Sequence, residues 1–300
     1  MSDLYDLFKP KEAPAAPQAF DKAAWAEKKK AEKARCYAMI DASLERIGQD
    51  PALFEGYLKV QSNFDLYSPR NALLIQAQRP LATKLADSNT WKEQGILVKK
   101  FEYKNPVMIL EPGNQYERPD GSIGQSYNVK KLYDISQTMA RIPPQETAKM
   151  DDRLLISALI TGAPVPVKPI DPQNGMDSAA FSPEERCILV QRGLTPDEMF
   201  RGLARELAKV EILVRQRRVQ DLDFTAGAAA YMLCHQTDIE PDRRFMEQLP
   251  KAFTGLEPWE VGEALAAMRD TVSDLSSRMT MNIRRQTKQT TAPAKKPEVR

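Results

Sequence analysis

Three hundred residues, 42% apolar and 28% charged, supply enough apolar side chains for a buried core and exclude collagen-like and mainly disordered chains. A net charge of +2 points by itself to no class of partner. The longest apolar stretches, such as 226–234, are too short to cross a bilayer. The first eight residues lack a cationic segment followed by an apolar one, so neither a membrane span nor a secretory signal is expected.

Residues 1–20 carry Pro10, Pro14 and Pro17 among alanines and read as a flexible leader. Asp21 is placed to cap a helix running to about Gly48, with Tyr37, Ile40, Leu44 and Ile47 as its inner stripe. Asp50-Pro51 starts a second helix with Leu53, Phe54, Tyr57 and Leu58 inward. Ser68-Pro69 opens a third through Ala72, Leu73 and Ile75, ended by Pro80. After Trp91 and Gly95 the period changes. Residues 96–98 and 107–110 read as strands, Pro112-Gly113 and Asp120-Gly121 as turns, and 127–133 as a returning strand. Pro143-Pro144 marks 141–150 as a linker, which sets one domain over 21–140 and another over 151–277.

The second half opens with a helix over 152–161. A proline-rich extended segment reaches Pro172, and 186–190 reads as a short buried strand. Thr195-Pro196-Asp197-Glu198 is a capping box opening a helix through Met199, Leu203, Leu207 and Val210. Another helix covers 222–235. A last one starts near Pro258, with Val261, Leu265, Met268, Val272 and Leu275 as its stripe. From 278 to 300 seven cations stand against Glu298 alone in a polar stretch, which reads as a flexible basic tail suited to phosphate. The fold class expected is α+β in two domains: an α+β one, then a mainly helical one with a small sheet.

Cys36, Cys187 and Cys234 are odd in number and lack metal-ligand spacing, which favours a reducing, cytoplasmic setting over a disulfide framework. Cys187 and Cys234 read as small buried apolar residues, and Met199, Met232 and Met268 as core fillers. His235 is the single histidine and reads as structural; a site built on two histidines is excluded by count.

The window from Arg70 to Lys104 holds seven cations and three anions. Binding a single strand takes cations for phosphates and aromatic faces for bases. Arg70, Arg79, Lys99 and Lys100 are candidates for the first role, and Tyr67, Trp91, Phe101 and Tyr103 for the second. Asn71 and Gln76 are candidates for hydrogen bonds to the strand. Trp91 equally fits a packing role, and Asn71, just past a helix-starting Ser68-Pro69, a structural one.

The stretch Tyr67-Ser68-Pro69-Arg70-Asn71-Ala72-Leu73-Leu74-Ile75-Gln76-Ala77-Gln78-Arg79-Pro80 carries a resemblance. It continues through Trp91, Gly95-Ile96-Leu97-Val98-Lys99-Lys100, 107–112 and Leu132-Tyr133-Asp134-Ile135-Ser136-Gln137-Thr138. It resembles the N-terminal single-stranded-DNA-binding domain of ArdC-type antirestriction proteins. Phe101 departs from that pattern, which has glycine after the paired lysines. The second half is similar to the zincin-like metallopeptidase domain that follows in the same family and in ImmA/IrrE relatives. There a helix bears His-Glu-x-x-His, two zinc ligands one turn apart with a water-activating glutamate between them. Here the aligned residues are Arg205, Glu206 and Lys209, and the third ligand position, on the next helix, is Gly227. With all three ligands replaced, the resemblance implies neither metal, cofactor nor peptidase activity.

Arg205 and Lys209 leave three readings open: ion pairs with Glu206, Glu211, Asp221 or Asp223; a solvated face; or an anion site replacing the metal's charge. The function expected is a non-enzymatic, cytoplasmic single-stranded-DNA-binding protein of a mobile element, serving antirestriction or transfer, without membrane contact. The rival is an interaction scaffold whose metal-less cleft holds a protein partner. An active zinc peptidase would need ligands this chain lacks.

Overall fold

The helices of the first half begin at the caps that the sequence marks. Asp21 accepts the N–H groups of Ala23 and Ala24 at the start of α1, Lys22–Ile47. Asp50 caps α2, Pro51–Asn63, through the Leu53 N–H, and Ser68 caps α3, Pro69–Gln78, through that of Asn71. Each of the last two has proline in its first turn, where no intrahelical donor is lost. The computed structural model describes residues 21–140 and 150–291. The expected leader, nearly all of the expected linker and the last nine residues lie outside that range.

A short strand β1, Leu85–Ala86, and a helix α4, Ser88–Glu93, lead to the hairpin of β2, Val107–Glu117, and β3, Ile123–Asp134. The sheet order is β1-β3-β2, antiparallel throughout. In the second half α5, Asp152–Ile160, precedes β4, Val167–Ile170, β5, Ala179–Ser182, and β6, Cys187–Gln191. These form a sheet of order β4-β6-β5, parallel on one side of β6 and antiparallel on the other. Then follow α6, Pro196–Val214, α7, Leu222–Gln236, the short α8, Leu249–Ala252, and α9, Pro258–Thr291. The α+β class is as expected.

Three expectations are corrected. Residues 96–98 form no strand: only Val98 makes a bridge, to Thr138, before a 3₁₀ turn at Lys100–Lys104 takes the chain away. Pro112-Gly113 is no turn but lies inside β2, where the register shifts between Pro112 and Gln115. The bulge absorbs the proline, which cannot donate to a ladder. The basic tail does not begin at 278. α9 runs on to Thr291 because Leu275, Met279 and Ile283 continue its inner stripe, and Asn282 donates to the Ala158 and Thr161 carbonyls.

One apolar cluster takes in residues of both halves. Phe54 of α2 stacks on Phe224 of α7 at 5.4 Å and meets Phe253 edge-on at 5.9 Å. Tyr231 of α7 donates to Glu55 of α2 at 2.9 Å, and Gln236 donates to the Ser62 carbonyl at 3.2 Å. Cys36, Cys187 and Cys234 are buried free thiols, and Met232 and Met268 lie in the core.

Candidate nucleic-acid interface and a remodelled cleft

The first surface is built on the turn Asp134-Ile135-Ser136-Gln137. Buried Asp134 accepts the N–H groups of Thr83, Lys84 and Ser136, at 2.8, 3.2 and 2.8 Å. Gln137, also buried, accepts from the Asp134 N–H and donates to Glu102 and to the Asn105 carbonyl. Two separate stretches, 83–84 and 102–105, are thus tied to one turn, with Ser136 at its edge. Arg79 donates to Ser136 Oγ at 3.2 Å, and Lys99 Nζ donates to the Ser136 carbonyl at 2.9 Å. Lys100 is exposed at the start of the adjoining 3₁₀ turn, which also carries Phe101, 68% exposed, and Tyr103, 49% exposed. Tyr103 rests edge-on against Tyr133 at 5.6 Å, which holds its ring while leaving a face toward solvent. Two cations anchored on one residue therefore stand beside two open aromatic rings. Arg70, exposed in the first turn of α3, lies at the other end of that helix.

Three residues expected to contact the strand are buried and bonded within the fold. Asn71 is buried, and its carboxamide accepts the Leu110 N–H and donates to the Leu110 carbonyl, both at 2.9 Å. It thereby completes the outer edge of β2, whose other edge pairs with β3. Gln76 is buried and donates to the Leu53 carbonyl at 2.6 Å, tying α3 to α2. Trp91 is fully buried, and its indole N–H donates to the Tyr133 carbonyl at 2.9 Å. The Asn71 carboxamide, the Gln76 amide nitrogen and the Trp91 indole N–H each already hold a partner within the fold. Ser136 is the site residue that sequence reasoning missed: it falls in the resembling stretch 132–138, but no charge or spacing there ties it to Arg79 or Lys99.

The second feature is a cleft of about 700 Å³ between α6, α7 and the loops at 176–178 and 240–245. The amphipathic pattern of α6 buries Glu206, which is 2% exposed. Glu206 Oε1 accepts from Arg205 Nε at 3.2 Å and lies 3.1 Å from Lys209 Nζ. Lys209 also lies 2.6 Å from Asp223, the first acidic residue of α7. Arg205 further pairs with Asp177, which Arg244 approaches at 3.4 Å, and Arg244 pairs in turn with Asp242 at 2.6 Å. The hydrogen bond from Arg205 holds the Asp177 carboxyl below the usual range, against the opposing effect of burial. Burial alone would raise the Asp242 carboxyl, but Arg244 brings it below that range. Of the three readings of Arg205 and Lys209, the internal ion pairs describe the geometry. The partners include Glu206 and Asp223 as expected, whereas Asp177, on a loop, carries no sequence signal. Cys234 also lines the cleft, and burial pushes its thiol up to about 12, so it stays protonated.

No protein-family model matches the sequence, and no curated protein matches it. Solved structures do. The fold is similar to that of the antirestriction ArdC protein from R388 plasmid. Against its metal-free structure the TM-score is 0.51 at 16% identity, covering 72% of this chain and 86% of that one. Its Mn(II)-bound structure gives a TM-score of 0.48 at 14% identity, covering 74% and 98%.

The resemblance of the second half to a zincin-like domain raises the question of whether the aligned residues fit a metal, and they do not. Two fixed cations stand at the first two ligand positions, each paired to carboxylates. At the third, a Cβ on Gly227 would lie 2.7 Å from both Cβ and Cγ of Phe245. The space for a ligand side chain there is filled by an aromatic ring.

Proposed function

We propose that this protein is a non-peptidase, single-stranded-DNA-binding protein of antirestriction type that serves a mobile element in the cytoplasm. The observation that carries the reading is the convergence of Arg79 and Lys99 on Ser136 beside the exposed rings of Phe101 and Tyr103. Cations at that edge attract the phosphate chain, and open rings offer bases a stacking face of any sequence. Arg70 and Lys100, both exposed, extend the positive surface. The fold likeness to a protein described as antirestriction supports the same reading. The two-domain organisation, 21–140 and 151–277 with α9 extended beyond it, remains part of this proposal.

No helix of the described residues is long and apolar enough to cross a membrane. In this reading the helical half contributes support rather than catalysis. Its ion pairs hold together the elements where a zincin would hold its metal.

Fluorescence anisotropy with labelled single-stranded and duplex oligonucleotides at two salt concentrations tests the proposal. Preference for the single strand, weakening as salt rises, is expected. The variant R79E/K99E/K100E should lose about tenfold or more in affinity while unfolding at the same temperature. Absence of binding by the wild type at low salt would overturn the reading. The scaffold reading, favoured by persistence of a 700 Å³ cleft, would then be pursued by mutating the cleft wall and following partner co-purification.

A further inference from the structure

A second cavity of about 760 Å³ lies where the C-terminal turns of α9 face the ends of α2 and α7. Its wall carries Arg284, Arg285 and Lys288 together with the hydroxyls of Ser277 and Thr280. Asp65 is its one carboxylate, so the lining is net positive. Arg284 and Arg285 are exposed, and among the described residues neither is paired with a carboxylate. This contrasts with Arg278, one to two turns earlier on the same helix, which is paired with Glu211 at 3.0 Å. The floor adds Gln236. Its amide nitrogen donates to the Ser62 carbonyl, while its buried Oε1 has no hydrogen-bond partner among the described residues. A buried acceptor without a donor is costly unless something supplies one.

We propose that this cavity binds one nucleotide unit of a single strand. The guanidinium groups of Arg284 and Arg285 take the phosphodiester, assisted by the Ser277 and Thr280 hydroxyls. An N–H or O–H of base or sugar donates to Gln236 Oε1. The cavity is of the size that holds a small organic ligand, and guanidinium groups match phosphate geometry. A concave wall with a buried acceptor fits a nucleotide better than a membrane surface, which needs a flat or convex basic face. The choice of a nucleic acid as ligand rests on the strand-binding function proposed above; the site is separate from the Ser136 edge.

The test compares wild type, R284E/R285E and R79E/K99E/K100E for binding to a labelled 20-nucleotide oligo-dT across a salt series. Circular dichroism melting checks that each variant folds. If the inference holds, R284E/R285E binds at least about tenfold more weakly. Its slope of log affinity against log salt falls by about 0.7, the share of the one phosphodiester held there. R284K/R285K should recover most of the salt slope. Should R284E/R285E bind as wild type does while R79E/K99E/K100E fails, this site is overturned and the Ser136 edge stands. Loss of binding to anionic phosphatidylserine vesicles, with oligonucleotide binding unchanged, would reassign the cavity to a membrane and overturn it too. If the wild type binds no oligonucleotide at all, both proposals fall together.

Discussion

The backbone N–H of Phe181 donates to Glu206 Oε2 at 2.9 Å, which ties the edge strand β5 to helix α6. The other oxygen of the same carboxylate meets Arg205 and Lys209. In the zincin pattern this glutamate activates water; here one oxygen joins strand to helix and the other pairs with two cations of its own helix.

Glu206 is therefore a structural strut, and Glu206→Gln removes its charge with little change of shape. The expected loss is about 3 kcal/mol, the cost of leaving partly buried cations without their central partner. Urea denaturation of the two proteins measures it. A change below about 0.5 kcal/mol would mean that the group behaves as a surface residue.

Gly227 is required by Phe245. The substitution Gly227→Ala puts a methyl group 2.7 Å from the Phe245 Cβ and Cγ, where the ring and its backbone must shift. Overpacking of this kind costs about 1–3 kcal/mol. The same contact predicts that R205H/K209H/G227E, which restores every ligand type, retains no more zinc than wild type after dialysis. Stoichiometric zinc in that variant would show that the ring yields.

Asn71→Ala separates folding from binding. It strips partners from the N–H and carbonyl of buried Leu110. An unsatisfied buried backbone group costs about 1–3 kcal/mol, so thermal stability should drop measurably. At a temperature where the variant is folded, its affinity for single-stranded DNA should match wild type.

His235, the single histidine, offers a clean pH prediction. Burial first, and Lys59 second, hold its imidazole below the ordinary value of about 6.5. The folded state thus prefers the neutral ring. As pH falls from about 6.5 through the folded value, the unfolded chain takes up the proton first and stability declines. Above that window the contribution is fully present; below the folded value the decline from this group stops. The imidazole resonance followed by NMR should titrate below about 6.5, and His235→Gln should flatten the stability slope across the same window.

Much of the architecture was legible because its signals are local. Asp21, Asp50, Ser68 and Thr195 each cap the helix they announce, since a side-chain oxygen reaches amides only two or three residues on. That Arg205 and Lys209 share one face of α6 was equally plain, because one helix face displays residues four apart.

What the Ser136 turn gathers was not legible. Arg79 and Ser136 are 57 residues apart, and Lys99 and Ser136 are 37 apart, so no spacing rule joins them. Asn71, Gln76 and Trp91 look like binding groups in a basic, aromatic window. Burial alone decides that their polar atoms serve Leu110, Leu53 and Tyr133. The stretch after 278 misled by its polar composition, because a helix needs only one apolar residue per turn on the buried side to go on packing. Residue identity and short-range order are written along the chain and set the caps, the periods and the charged run Arg205-Glu206 to Lys209. Which side chains share a surface, and that Gln236 Oε1 has no hydrogen-bond partner among the described residues, is decided by contacts between distant segments, and only the packed chain makes those.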